Sequence, residues 1–168
     1  EPPPRFLTLY LDWIFLSTPS FEHIRPQLER FLREDVPPGT QVMLAACDRG
    51  IEVVQPFTTD LDAVAEALHR ESRRSGLGRM VDLQELTIRK LWGPEISDPT
   101  GSTKVGQAQE WLEQSLDAFS DDLDVRIRRS WRLLQSLVDS MAALEGRKVL
   151  RFEQQVRVLG EAQQPAAL

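Results

Sequence analysis

The feature that most constrains the fold is the run of residues 6–12, which reads FLTLYLD. Apolar side chains occur at both odd and even positions of this run, whereas a strand with one solvated face alternates apolar and polar residues. A strand that is apolar on both faces has to be covered on both faces. We therefore predict a central β-strand with helices packed on either side of its sheet.

A helix is predicted directly after this strand. Residues 20–35 place apolar side chains at helical spacing, and residues 17–20 supply hydroxyl groups that can cap its start. Pro26 lies inside the pattern, and an interior proline removes one helical hydrogen bond. The regular helix is therefore expected either to begin near Arg25 or to bend there.

Two short strands are predicted next, at residues 41–47 and 51–56. Asp48, Arg49 and Gly50 separate them, and a short connection that contains glycine is typical of a hairpin. We therefore expect the second and third strands to be antiparallel neighbours.

The following half of the sequence is largely helical in its pattern. Residues 59–62 resemble a capping box, and they begin a second helix that ends before Gly76. A third helix is predicted over residues 80–92, closed by a Gly-Pro pair.

The longest helical pattern covers residues 102–145, where apolar side chains recur every three or four positions without a proline. As one rod it would be about 60 Å long. That length exceeds the width of a domain of this size, so the helix is expected either to break near residues 120–122 or to project from the body. A fourth strand is predicted to begin at Lys148, and residues 155–159 are a candidate for one more short strand.

This order of elements predicts an α/β fold. The sheet is expected to be mostly parallel, with helices on both faces, one antiparallel edge strand and a long helical extension. We divide the chain into a linker stub at residues 1–5, a single domain at residues 6–160 with a helical insertion at about 78–133, and a flexible tail at residues 161–168.

The amino-acid composition argues against some classes of function but does not identify one. The 168 residues include 20 basic and 26 acidic side chains, for a net charge of −6. This balance argues against a general nucleic-acid binder, because phosphate contacts need clustered positive charge, and it leaves a basic protein partner open. The apolar runs are far shorter than the ~20 residues that span a bilayer, so no membrane insertion is expected. Cys47 has no second cysteine with which to form an internal disulfide.

The candidate site lies at the carboxyl end of the first strand. Ligands of open α/β sheets bind beyond the carboxyl ends of the strands, near the point where the strand order reverses. Here that edge contains Asp12 and the loop at residues 13–20.

Four stretches of the sequence resemble the von Willebrand factor A fold, and more narrowly the bacterial family labelled von Willebrand factor A-related. They are the strand that ends in aspartate, the break and second strand DVPPGTQVML, the third strand IEVVQPFTTD, and the helix and fourth strand LLQSLVDSMAALEGRKVL. Together they cover about residues 5–60 and 134–150, which is under half of the chain.

The resemblance implies a Rossmann-like domain that holds a protein partner through a divalent cation. The family's metal-ion-dependent adhesion site uses Asp-x-Ser-x-Ser after the first strand, a threonine from a later loop and an aspartate after the fourth strand. Carboxylate and hydroxyl oxygens suit Mg²⁺, and an open coordination position accepts a carboxylate of the partner.

This sequence departs from that motif. Asp12 matches the first ligand, but Ile14 and Leu16 occupy the two serine positions and offer no side-chain oxygen. After the fourth strand only Glu153 is near the expected carboxylate, and it is a poor substitute. A degraded site with weak affinity for Mg²⁺ is therefore expected.

The candidate metal ligands are Asp12, Ser17, which lies near the motif but out of register, and Thr103, which opens the long helix as the family's threonine does. Asp12 and Thr103 each have a structural alternative: Asp12 can cap the start of the first helix, and Thr103 can cap the start of the long helix. The resemblance also implies export from the cytoplasm. It implies an incomplete domain as well, because the family continues with further strands and helices.

The candidate partner-binding residues are Trp13, Phe15 and Ser20, in the loop that replaces the metal-binding serines. An exposed Trp13 would be a good interface anchor, and core packing is the alternative. Cys47 is expected to be a buried and inert thiol, and His23 and His69 lack an adjacent catalytic partner.

Three functions follow from these observations. The first is a non-catalytic protein-interaction module that binds a partner at the carboxyl edge of the sheet and through the helical extension. The second is a helical scaffold or self-association module in which residues 102–145 pair between copies. The third, an enzyme that uses Asp12 with a histidine, requires His23 within hydrogen-bond reach of Asp12.

Overall fold

A computed structural model describes residues 3–74, 76, 78–91 and 103–153 of the chain. Strands and helices follow one another in the order expected of an α/β fold. They are β1 Arg5–Asp12, α1 Thr18–Glu34, β2 Thr40–Cys47, β3 Ile51–Thr58, α2 Leu61–Glu71, α3 Gly78–Leu91, α4 Thr103–Met141 and β4 Arg147–Glu153.

The four strands form one open sheet in the order β3-β2-β1-β4. β1 pairs in parallel with β2 on one side and with β4 on the other, whereas β3 pairs antiparallel with β2. The predicted α/β class, the central position of the first strand and the antiparallel edge strand are therefore confirmed. The sheet is of mixed orientation.

Both faces of β1 are covered, as its composition requires. Leu7, Leu9 and Leu11 belong to a buried cluster that includes residues of α1 and α2. Tyr10, on the opposite face, belongs to a second buried cluster with Leu137 and other residues of α4. The apolar side chains on both faces of residues 6–12 are thus explained by the helices that cover both faces of the sheet.

α1 contains Pro26 in its interior and begins at Thr18, well before Arg25. The expectation that the regular helix begins near Arg25 is therefore wrong. Pro19 occupies the first turn, where a missing amide costs nothing, and Arg25 pairs with Glu22 at 3.1 Å and with Glu29 at 2.6 Å. These ion pairs link the turns on either side of the proline.

α4 is one uninterrupted helix of 39 residues, so the predicted break near residues 120–122 is absent. Its second half packs on the sheet through Leu133, Leu137 and Met141. Its first half lies beside α3, where Trp111 and Phe119 share a cavity with α3 residues. The helix thus extends from the sheet into a helical pair.

Three predicted segments lie outside the described residues: part of the stub at 1–5, the candidate strand at 155–159 and the tail at 161–168. Trp92, at the end of the predicted third helix, also lies outside them. In the part of the chain that the structure describes, no helix is long and apolar enough to cross a membrane.

Candidate functional site at the carboxyl edge of the sheet

Asp12 is the last residue of β1, and its side chain is fully buried. Its Oδ1 accepts a hydrogen bond of 3.1 Å from the backbone amide of Ile14, and its Oδ2 accepts one from the hydroxyl of Ser130. The backbone amide of Leu16 also donates to the carbonyl of Asp12, at 2.7 Å. Asp12 therefore fixes the turn that ends β1 and joins it to α4.

Ser130 reaches Asp12 because it lies on the buried face of α4. It precedes Leu137 by seven residues, which is about two helical turns, so both side chains point to the same side of the helix. Leu137 and Met141 anchor that side against the sheet. Ser130 is itself buried, and it closes the helix over the carboxyl end of β1.

Burial raises the pKa of the Asp12 carboxyl above its ordinary value. The hydrogen bonds from Ser130 and from the Ile14 amide act in the opposite direction, because they stabilise the carboxylate. Burial is the larger effect, so the neutral form is favoured to a higher pH than in an exposed aspartate.

Trp13 is also fully buried, so the structure shows core packing rather than an exposed interface anchor. Its ring lies 5.1 Å from the ring of Phe21, centroid to centroid, and its indole Nε1 donates to Oε2 of Glu71 at 3.0 Å. Arg74 Nε lies 3.3 Å from the same oxygen. Burial raises the pKa of the Glu71 carboxyl, and the Arg74 cation partly offsets that increase.

The backbone after α2 covers Trp13. The amide of Gly78 donates to the carbonyl of Trp13 at 3.3 Å, and a Cβ at Gly76 would collide with the Trp13 ring. Both glycines permit a close approach that a side chain would block. Both glycines pack against the loop that follows β1.

The loop residues Ser17, Ser20 and Phe15 are largely enclosed. Ser17 is buried, and its hydroxyl lies 2.8 Å from the hydroxyl of Ser20. Phe15 is half-buried and packs against the cluster beneath α4. Ser17, Ser20 and Phe15 therefore expose less surface to a partner than the predicted binding loop requires.

The structure does not bring the three predicted metal ligands together. Thr103 begins α4 and lies 27 positions before Ser130, which contacts Asp12. At about 1.5 Å per residue the backbone of Thr103 lies about 40 Å along the helix from this contact. Thr103 therefore does not lie beside Asp12 and Ser17. It stands at the start of α4, whereas only the second half of α4 reaches the carboxyl edge of the sheet.

The residues present do not fit a Mg²⁺ site in this arrangement. Each Asp12 oxygen already accepts a hydrogen bond, and the Ser17 and Ser20 hydroxyls bond each other. Mg²⁺ needs several oxygen ligands at about 2.1 Å in octahedral geometry. Among the described residues no group of three or more histidine, cysteine, aspartate or glutamate side chains is suitably placed for a metal ion.

Two further titratable groups lie close to this edge. The thiol of Cys47 and the hydroxyl of Tyr10 interact with each other, and both side chains are fully buried. Burial raises the pKa of the Cys47 thiol to about 11 and also raises the pKa of Tyr10. A thiol with so high a pKa carries almost no thiolate at neutral pH, so it is a poor nucleophile.

The structure does not pair Asp12 with His23, which is the contact that the third predicted function requires. His23 is exposed on α1, whereas Asp12 is buried. The side-chain hydrogen bonds of Asp12 come from Ile14 and Ser130.

Sequence reasoning missed Ser130 and Glu71, the two residues that organise this edge. Each could have been recognised in the sequence, because each is a polar residue on the apolar face of a helix. Ser130 falls in line with Leu137, and Glu71 continues the line of Val64, Ala67 and Leu68. A polar residue at such a position is expected to have a buried polar partner.

Compared with known proteins, the sequence matches no family model and no curated protein.

Proposed function

We propose that this chain is a non-catalytic protein-interaction module whose docking surface lies on α3 and α4. The proposal keeps the interaction role that the von Willebrand factor A resemblance implies. It moves the contact from the carboxyl edge of β1 to the helical pair. The scaffold is consistent with a Rossmann-like arrangement, since β1 pairs in parallel with both of its neighbours and antiparallel β3 forms one edge.

One observation carries the proposal: most of the large exposed apolar side chains of the described residues lie on α3 and α4. Exposed apolar side chains that are grouped on two neighbouring elements, rather than scattered singly over the surface, indicate a binding role. The exposed residues on these helices are Met80, Leu83, Leu86, Trp111, Val125, Ile127, Trp131 and Val138.

The first part of this surface is a groove between α3 and α4, which we call the helical groove. Leu83, Trp111, Ala118 and Phe119 form its apolar lining, and Gln84, Thr87 and Ser115 add polar groups. The cavity measures about 350 Å³. An apolar cleft with a half-exposed tryptophan fits the apolar face of an amphipathic segment from another protein.

Charge defines the partner further. Glu110, Glu113, Asp117 and Asp121 are exposed on the first half of α4, and the chain has a net charge of −6. A partner with basic residues beside its apolar face is attracted by this field and approaches faster. We therefore expect a basic amphipathic helix in the helical groove.

Affinity enrichment from native extract with quantitative mass spectrometry tests the docking surface. Trp111→Glu places a charge in the helical groove and should deplete the enriched proteins. Ser120→Glu adds the same charge on the opposite side of α4, because Ser120 is exposed and follows Trp111 by nine residues. Asp12→Asn alters the carboxyl edge. Both variants should retain the enriched proteins. Circular dichroism checks that each variant is folded. Equal enrichment by Trp111→Glu and the unsubstituted chain would show that the groove is not the docking surface.

A further inference from the structure

A cavity of about 220 Å³ opens at the amino edge of the sheet, at the other end of the strands from Asp12. It lies between the first residues of β1, β2 and β4 on one side and the end of α1 on the other. We call it the amino-edge cavity. It shares no described lining residue with the helical groove, so the inference drawn from it goes beyond the proposed function.

The sheet forms one wall of this cavity in two rows of side chains. The parallel register sets Arg5 of β1 beside Thr40 of β2 and beside Arg147 of β4, and all three line the cavity. Two residues further along the same face, Leu7 and Val149 form an apolar row. Residues two apart in a strand point to the same face and lie about 7 Å from each other. The wall is therefore polar at its outer end and apolar further in.

The opposite wall is the end of α1, and it is mostly apolar. Phe31 and Val36 line the cavity there, and Val36 is buried. The guanidinium of Arg151 stacks over the ring of Phe31 at 4.1 Å from the centroid, so this cation is already engaged. A molecule between the two walls would thus contact apolar side chains on both sides and the polar row at one end.

The backbone holds the polar row in place. The amide of Arg147 donates to the carbonyl of Pro4 at 3.0 Å, and a Cβ at Gly146 would collide with the same oxygen. The turn before Thr40 contains Gly39 at a φ of 77°, and the Thr40 amide closes this turn with a hydrogen bond of 3.2 Å. A site whose backbone is fixed before binding loses less entropy when a ligand enters.

The polar row lacks partners. Arg5 and Arg147 are exposed, and neither guanidinium makes a hydrogen bond or an ion pair with another described residue. The buried hydroxyl of Thr40 also has no hydrogen-bond partner in the described part of the chain. Like charges at paired positions of neighbouring strands repel each other, and a buried polar group without a partner is destabilising. An anion over this row would offset the repulsion and would supply a hydrogen-bond acceptor.

Asp35 limits the charge of that anion. It is the acidic residue among the described residues that line the cavity, whereas Arg5 and Arg147 are the basic ones. The described lining therefore carries one more positive than negative charge. A ligand with a single negative charge balances it, and a second negative charge would be repelled by Asp35.

We propose that the amino-edge cavity binds a small monocarboxylate with an apolar body. The carboxylate lies over the polar row and accepts hydrogen bonds from Arg5 and Arg147, because the planar guanidinium group matches a carboxylate. The apolar body lies between Leu7 and Val149 on one side and Phe31 on the other. A cavity of about 150 Å³ holds benzene, so the amino-edge cavity has room for a phenyl ring with a short acid chain.

Titration of the full chain with 3-phenylpropionate, followed by nuclear magnetic resonance, tests the ligand class. We expect saturable binding with a Kd on the order of 1 mM or tighter, with shifts of the Thr40 and Arg147 amides. 3-Phenylpropionamide has the same shape without the charge and should bind at least about tenfold more weakly. Inorganic phosphate, which has no apolar body, should also bind more weakly. Absence of saturable binding by the acid, or equal affinity for the acid and either comparison compound, would overturn the proposal.

Two matched variants test the residues. Arg147→Gln should raise the Kd of 3-phenylpropionate by at least about tenfold and leave that of the amide unchanged, because only the acid pairs with the guanidinium. Arg33→Gln is the control, since Arg33 is exposed on α1 and does not line the cavity. It should retain the affinity of the unsubstituted chain for the acid. Equal affinities of the two variants for the acid would show that the carboxylate does not bind at the polar row.

Discussion

The hydroxyl of Ser130 donates a hydrogen bond to Oδ2 of Asp12, and this contact joins the long helix α4 to the carboxyl end of the central strand. The two residues are 118 positions apart in the sequence. Because both are buried, the contact occupies the carboxylate that the von Willebrand factor A resemblance assigns to a metal ion. Several measurable properties depend on this arrangement.

Loss of the Ser130 hydroxyl should destabilise the fold. Ser130→Ala leaves Oδ2 of a buried carboxyl without its donor, which costs about 1–3 kcal/mol in the free energy of unfolding. Ser115→Ala is the control, because the Ser115 hydroxyl bonds only a carbonyl of its own helix and should change the value by less than about 0.5 kcal/mol. Urea denaturation of both variants measures the difference. Equal values would show that the Asp12 contact contributes nothing.

The stability of the protein should fall as the pH rises above the pKa of Asp12 in the unfolded chain. Burial raises the folded-state pKa, so between the two pKa values the folded chain binds the proton more tightly. Asp12→Asn keeps an oxygen for the Ile14 amide and cannot ionise. Its free energy of unfolding should therefore vary less between about pH 4 and pH 7. Asp139→Asn, at an exposed site, should retain the pH dependence of the unsubstituted protein; if both variants retain it, the pKa of Asp12 is not raised.

Trp13 and Trp131 should differ sharply in their contribution to stability. Trp13→Ala removes a fully buried ring and its hydrogen bond to Glu71, which costs about 3–5 kcal/mol. Trp131→Ala removes a mostly exposed ring and should change the free energy of unfolding by less than about 0.5 kcal/mol. Thermal denaturation compares the two variants. Similar losses in both variants would contradict the burial of Trp13.

Magnesium should leave the melting temperature unchanged. An ion that binds only the folded state raises stability by mass action, and the bonded oxygens of Asp12, Ser17 and Ser20 leave no ready ligand set. A titration with Mg²⁺ followed by differential scanning calorimetry checks this. A rise in melting temperature that disappears in Asp12→Asn would establish a metal site that uses this carboxylate.

The sheet could be predicted because its signals are local. Residues 6–12 are apolar on both faces, and the turn at residues 48–50 joins two adjacent strands, so the central strand and the antiparallel edge follow from short stretches of sequence. For α1 the sequence left two alternatives at Pro26, because an interior proline removes a helical hydrogen bond. The structure excludes a start near Arg25, since the helix begins at Thr18 and ion pairs of Arg25 span Pro26.

The site could not be predicted to the same extent because its contacts are long-range. Trp13 is buried by Glu71 and by the glycine backbone after α2, and Asp12 by a residue of α4. Which elements meet at the strand end depends on how the helices pack. The distance of Thr103 from Asp12 likewise follows from the unbroken length of α4, for which the sequence left two alternatives.

Photo-cross-linking tests most directly whether the helical pair or the strand end is the docking surface. A photoreactive amino acid is placed at position 111, in the helical groove, or at position 15, in the loop after β1, and cross-linked proteins are identified by mass spectrometry. The account predicts covalent adducts with one set of partner proteins from position 111 and none from position 15. Adducts from position 15 alone would contradict it and would return the binding site to the carboxyl edge of the sheet.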